Sequence, residues 1–451
     1  MSSRHWTRLG ATVAAGLGVL AMASVPAAAR PYYRLFGHRH ALPPTTSQCL
    51  ATLGIACYNA GQFQSAYDMG PLFAAGMNGT GKTIVIVDSF GSPTIRHDLQ
   101  EFDTQNHLPP PPSFEIITPA GPIPHFDPSK NGMGGWAIET SLDVEMAHTM
   151  APGANILLVE TPVAETEGVE GFPQIVASEN FVINHHLGDV ITQSFGATEE
   201  TFPSPTRLRE LRSAYENALR NHVSVLASSG DFGATDAEFN GTSLFRRRVV
   251  AWPSSDPLVT SVGGTQLHLT DNGTRTAPDN VWNDQELFHS PASGGGGPSH
   301  VFSRPQYQDS VASVVGDARG TPDVSLSAAV NGGANVFMSF LDPKDGITAP
   351  GWYIIGGTSE ASPLFSGFVA VADQAAGHDL GLLNPALYSV GAGGPGLVDI
   401  TAGNNSVTFR QHDRTTHIVG FEAVPGYDMA SGLGTIDGAK LVAQLQAAPH
   451  H

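Results

Sequence analysis

Lysine is scarce in this sequence: four residues (Lys82, Lys130, Lys344 and Lys440) in a chain of 451. All charged residues together make up 14%, and 22 Lys and Arg stand against 41 Asp and Glu, for a formal net charge of −19. That sign is wrong for the phosphate backbone, so no nucleic-acid partner is expected. Beyond the N-terminus, no stretch reaches the roughly 18 apolar residues needed to cross a bilayer, so no stable membrane association is expected. Cysteine occurs twice, at Cys49 and Cys57. One pair can staple a loop but cannot replace a core, which excludes a disulfide-framework protein. The 51 glycines follow no Gly-X-Y period, and no repeat of 20–50 residues is present. Disorder is excluded as well, because 41% hydrophobic residues can bury a large core.

The first thirty residues carry an export pattern. Arg4, His5 and Arg8 precede a small, apolar run over 9–25, and Ala27-Ala28-Ala29 offers a cleavage site. Residues 1–29 are read as a signal peptide, which places the mature protein outside the cell. In that oxidising compartment Cys49 and Cys57 are expected to pair. Residues 30–66, rich in Pro, Tyr and His, are read as an irregular arm. From Thr83 the pattern changes. The β-branched runs 83–88, 155–160, 189–194 and 223–228 read as buried parallel strands. Helical spacing occupies 140–150 and 207–221. This alternation predicts an α/β fold: a parallel sheet flanked by helices on both faces, with active groups outside the carboxyl ends of its strands.

Three local patterns carry chemistry. In Gly356-Gly357-Thr358-Ser359-Glu360-Ala361-Ser362-Pro363, a serine sits at a glycine-rich turn into an apolar helix, where backbone amides can stabilise an oxyanion. The plain alternative is a helix cap. Glu139 and Asp143 are four apart and share a helix face, where like charges repel. They are either a solvated acidic face or a pair in which one carboxyl holds a proton for the other. Asp231, in Ser229-Gly230-Asp231, follows a strand directly, where active groups collect; alone it is a turn aspartate. Gly76–Thr83 fits a phosphate-loop pattern, but the strand follows the loop rather than preceding it, so the match is accidental. The paired histidines (His38/His40, His185/His186, His450/His451) lack a carboxylate or cysteine frame and are read as surface residues.

Together these residues resemble the sedolisin family of serine-carboxyl peptidases, which share the subtilisin fold. Further stretches resemble it too: Pro253–Val262 with Gly263-Gly264-Thr265, Arg304-Pro305, and Pro322-Asp323-Val324-Ser325. The resemblance spans about residues 55–445, with a catalytic domain at 67–447. It implies Ser359 as nucleophile, Glu139 as general base, Asp143 as the residue that orients it, and Asp231 as oxyanion-hole side chain beside the Ser359 amide. A carboxylate is a useful base only in acid or when its pKa is shifted, and Asp231 donates only when protonated. The implied optimum is therefore about pH 3–5. True subtilisins need a His-Gly-Thr segment, which is absent; Asp88 would fit their aspartate position, and His148 lies on the same helix as Glu139. The resemblance also implies one calcium site: Asp399 and Asp428 by carboxylate, Ile400, Val424 and Gly426 by carbonyl. Only 40–50 residues separate the expected cleavage site from the catalytic core, too few for the family's long pro-domain. Protein or peptide substrates and a monomer are expected for an endopeptidase. The alternative is a non-catalytic secreted binding protein on a peptidase scaffold.

Overall fold

The structure is a computed structural model that describes residues 32–38 and 42–447. The expected signal at 1–29 and the pair His450/His451 lie outside them. The arm is more regular than its composition suggests. It holds β1 (Tyr32–His38), α1 (Thr46–Leu53), β2 (Cys57–Tyr58) and α2 (Ala60–Ala66). Thr45 and Asn59 start the two helices with capping boxes that pair with Gln48 and Gln62. Those boxes are the sequence signal that composition hid. Cys49 and Cys57 form a disulfide with a Cα–Cα distance of 6.0 Å.

The β-branched runs become the central sheet. In chain order the next elements are β3 (Thr83–Ser89), α3 (Ile95–Asn106), β4 (Phe114–Ile117), α4 (Met133–Met150), β5 (Asn155–Thr161), α5 (Phe172–Asn184), β6 (Val190–Gln193), α6 (Ser213–Arg220) and β7 (Ser224–Ser228). Then come β8 (Thr260–Gln266), β9 (Asn280–Val281), β10 (Val324–Ser327), β11 (Gly333–Met338), β12 (Gly351–Gly356) and α7 (Thr358–Ala376). The eight-stranded sheet runs β9-β8-β7-β6-β3-β5-β4, with β10 also paired to β8. All its pairings are parallel except β8 with β9. A second sheet, β1-β12-β11-β2, joins the arm to the segment that precedes α7.

Both faces of the sheet are covered. Ile84 and Ile86 pack with α4 and α7 in one core; Val85 and Val87 pack with α5 and α6 in the other. The parallel strands therefore read as unbroken apolar runs, because each side of the pleat is buried. Helix α4 starts at Met133, seven residues before the expected Thr140, and all 18 of its residues are buried. The expected helix over 207–221 is instead two: Pro205–Arg209, capped by Ser204, and α6. Arg212 marks the break. Its guanidinium donates to both oxygens of buried Asp256 (2.5 and 2.8 Å), a tertiary pair that overrides local helix preference.

Candidate active site and cation loop

Ser359 is the second residue of α7, at the top of a strand-to-helix turn, and is 4% exposed. Gly357, just before the helix, has φ +136°, and a Cβ there would lie 2.6 Å from Asp231 Oδ2. Only glycine lets the backbone approach Asp231 so closely in this conformation. Asp231 follows β7. The Thr358 N–H and hydroxyl both donate to its Oδ1, each at 2.8 Å. Burial pushes the Asp231 carboxyl up to about 6, against the lowering effect of those two bonds.

Glu139 and Asp143 are fully buried, which rules out a solvated acidic face. They project one turn apart from α4, which lies across β3 and against α7. Burial holds the Glu139 carboxyl well above its ordinary range. The facing Ser359 hydroxyl opposes that shift, and Asp88 and Asp231 reinforce it. Neither Glu139 oxygen closes a protein hydrogen bond of ordinary geometry. Loose contacts between nucleophile and base are common before substrate tightens the site. Asp143 is raised by burial first, then by Asp88 and Glu139. Its Oδ1 accepts the Ser194 hydroxyl at 2.9 Å. That hydroxyl is also 3.4 Å from the Ser359 carbonyl, so Ser194 joins the two halves of the site. Asp88, at the carboxyl end of β3, is fully buried beside Thr140, and burial pushes it up to about 7.

The structure thus brings Ser359, Glu139, Asp143 and Asp231 to the carboxyl ends of β3, β6 and β7. Ser194 and Thr358 were not singled out from sequence. Ser194 had the same signal as Asp231, a polar residue directly after a buried parallel run. His148, on the same helix as Glu139, points elsewhere: its Nε2 lies 2.9 Å from the Pro109 carbonyl and 3.2 Å from Asp103 Oδ1. His185 and His186 are exposed, as expected.

This geometry agrees with the similarities to known proteins. The subtilase family matches residues 131–386. Kumamolisin of Bacillus sp. (strain MN-32) is 31% identical over 425 residues, covering 92% of this chain and 68% of its own length. The chain belongs to the sedolisin branch of the subtilase family. Human tripeptidyl-peptidase 1 is 29% identical, across 68% of this chain and 51% of its own. The chain therefore spans between half and about two thirds of the length of these relatives. Among solved structures, Pseudomonas sedolisin, a serine-carboxyl proteinase complexed with two molecules of pseudo-iodotyrostatin, aligns with a TM-score of 0.67 at 26% identity. It covers 87% of this chain and 99% of that one. Sedolisin-type proteins are serine-type peptidases, so the family accounts for a serine facing buried carboxyls.

Four of the five expected calcium residues, Asp399, Val424, Gly426 and Asp428, lie together. The Gly426 N–H donates to Asp399 Oδ2 and the Val424 N–H to Asp428 Oδ2, each at 2.9 Å. One loop thereby holds both carboxylates. Asp428 Oδ1 takes the Ala430 and Ser431 amides and the Ser431 hydroxyl. Asp399 Oδ1 is buried with no protein partner, an orphaned hard oxygen that suits calcium. The Val424 side chain is 44% exposed, so its branching does not obstruct the loop interior. Among the described residues no cluster of three or more His, Cys, Asp or Glu is arranged for a metal. The expected set has only two carboxylates and relies on carbonyls, so it falls outside that description.

Proposed function

We propose that this chain is a secreted endopeptidase that hydrolyses peptide bonds in acid. The observation that carries this reading is a serine at a helix start with three fully buried carboxyls, Glu139, Asp143 and Asp88, on one side and Asp231 on the other. Ser359 Oγ attacks the scissile carbonyl carbon while a Glu139 oxygen takes its proton. Asp143, itself holding a proton shared with Glu139, keeps that carboxyl oriented toward Ser359. Protonated Asp231 and the Ser359 N–H donate to the oxygen that becomes negative. Glu139 then passes its proton to the leaving amine. In the second half Glu139 takes a proton from water as the water oxygen attacks the acyl carbon, then returns that proton to Ser359 Oγ as the acyl–Oγ bond breaks and the acid product leaves.

The export reading rests on the sequence of residues 1–29, and no described helix is long and apolar enough to cross a membrane. Calcium, held by Asp399 and Asp428 with the carbonyls of Ile400, Val424 and Gly426, would cross-link the loop and take no part in proton transfer. EDTA is expected to lower Tm by several degrees and added calcium to restore it; an unchanged Tm rejects the site.

The decisive experiment is digestion of a peptide library at about pH 4 by the wild type and by Ser359→Ala. Loss of at least ~10³-fold in kcat is expected for the variant. Full activity of Ser359→Ala would remove the nucleophile. No cleavage by the folded wild type would favour a binding protein on a peptidase scaffold. Products cut within the chain, rather than trimmed from one end, distinguish an endopeptidase from a tripeptidyl-peptidase.

A further inference from the structure

Asp88 and Glu160 occupy paired positions on the parallel strands β3 and β5. Adjacent strands lie about 4.8 Å apart and paired residues point to the same face. Glu160 therefore stands next to Asp88 on the side that α4 covers. Thr140 lies beside Asp88 and Ser359 faces Glu139, but neither the Asp88 and Glu139 oxygens nor Asp143 Oδ2, all buried, close a protein hydrogen bond of ordinary geometry. Five unpaired oxygens in one place require shared protons or enclosed water, because lone buried carboxylates are too costly. None of these three residues reaches solvent.

Glu160 does. It is half-buried and lines a cavity of about 200 Å³. The cavity is walled by Phe90, Phe126 and Met133, and the exposed Pro93 and Pro124 stand at its edge. Gly91 makes room for the Glu160 carboxyl: any side chain at 91 would collide with it. The charged groups acting on Glu160 and Asp88 are Arg96 of α3, which faces Glu160, and Glu139 and Asp143 of α4, which face Asp88.

We propose that Glu160 is the port through which the buried carboxyls Asp88, Asp143 and Glu139 exchange protons with solvent. The proposal rests on the catalytic reading of those carboxyls given above. A hydronium ion in the cavity gives its proton to one Glu160 oxygen, and the proton on the other oxygen passes to Asp88. The reverse transfer releases a proton when the row holds one too many. Only O–H bonds form and break. Burial brings both Glu160 and Asp88 to about 7, with Arg96 opposing at Glu160, so neither traps the proton against the other. Glu160 touches neither substrate nor reacting atoms; it sets how fast the catalytic pair regains or releases its shared proton.

The test compares the full chain with Glu160→Gln and Glu160→Asp. Glutamine cannot carry a proton in this range; aspartate can. On one peptide substrate, Glu160→Gln is expected to leave KM within about twofold and move a limb of the kcat–pH profile by about half a unit or more. Glu160→Asp is expected to return the profile toward the wild type. A second readout uses the inactive Ser359→Ala background. After transfer to heavy water, infrared bands of the buried carboxyls should exchange more slowly when Glu160→Gln is added. Superimposed kcat profiles with equal exchange rates overturn the proposal. So does a change confined to KM, which would make the cavity a pocket for a substrate side chain. Failure of the wild type to cleave peptides strikes the catalytic reading alone, since the exchange measurement needs no turnover.

Discussion

Both Thr358 bonds to Asp231 fall on Oδ1, which leaves Oδ2 to carry a proton. With its pKa pushed up to about 6, Asp231 is a neutral donor in acid and an anion above that. Ionised, it would repel the charge that develops on the substrate oxygen. The alkaline limb of activity is therefore expected near pH 6 in the wild type. Asn at this position donates at every pH, so Asp231→Asn should move that limb upward by at least about one unit. Asp231→Ala, which has no donor, should lose roughly 10²–10³-fold in kcat. The pH profile of kcat/KM for each variant checks both, and an Asp231→Asn profile identical to the wild type counts against the donor role. The residues of this site were legible unequally. Ser359, Glu139, Asp143 and Asp231 each sat in a pattern with a chemical reason: a glycine-rich turn, a like-charge pair, a strand end. Ser194 and Thr358 did not stand out, because hydroxyls are common and their value lies in which carboxyl they reach across the fold.

The elements α4 and α7 carry Glu139 and Ser359, the proposed base and nucleophile, so their crossing sets the distance between the two. Gly367 lies at the contact. A Cβ there would stand 2.6 Å from the Met150 Cβ and 2.7 Å from the Ala147 carbonyl oxygen. Gly367→Ala must push the helices apart, and overpacking of this kind costs about 1–3 kcal/mol. A separation of even ~1 Å at the reacting groups can cost 10²-fold in rate. The expected result is a lower urea midpoint together with a kcat loss of ~10-fold or more, measured on protein that remains folded. A stability loss with full kcat would show that the crossing does not set the catalytic distance. At this scale the sheet was plain from sequence, since its strands are buried on both faces and their residues say so. Helix ends were not. The opening turns of α4 run through Gly134-Gly135, poor helix formers held by packing rather than propensity. The helix expected over 207–221 was divided by the pairing of Arg212 with Asp256, a contact between residues 44 positions apart.

For the whole molecule, the acid excess has a thermodynamic sign. Several carboxyls titrate higher in the fold than the roughly 4 of an unfolded chain. Burial is the first cause in each: Asp231 is pushed up to about 6, Asp88, Asp236 and Glu160 to about 7, and Glu179 to about 8. Between about pH 4 and these values the folded chain holds protons that the unfolded chain has released, so stability falls as pH rises. Their contribution is fully present below about pH 4, is lost progressively as pH rises from there, and is gone above about 6 to 8. Three such groups shifted by only one unit each account for about 4 kcal/mol, a large share of a typical 5–15 kcal/mol total. Asp127 works in the opposite direction, held at about 2 by Ser129 and Lys130, but it is exposed enough for solvent to screen it. Repulsion among the carboxylates behind the formal charge of −19 adds to the loss at neutral pH, because 22 Lys and Arg compensate only about half of the 41 Asp and Glu. Tm of the Ser359→Ala protein, which cannot digest itself if Ser359 is the nucleophile, should be highest below about pH 5 and fall steadily toward pH 8. A Tm that rises over that interval would mean the buried carboxyls are ionised and paired in the fold. In that case neither a protonated Asp231 donor nor a proton shared between Glu139 and Asp143 could stand.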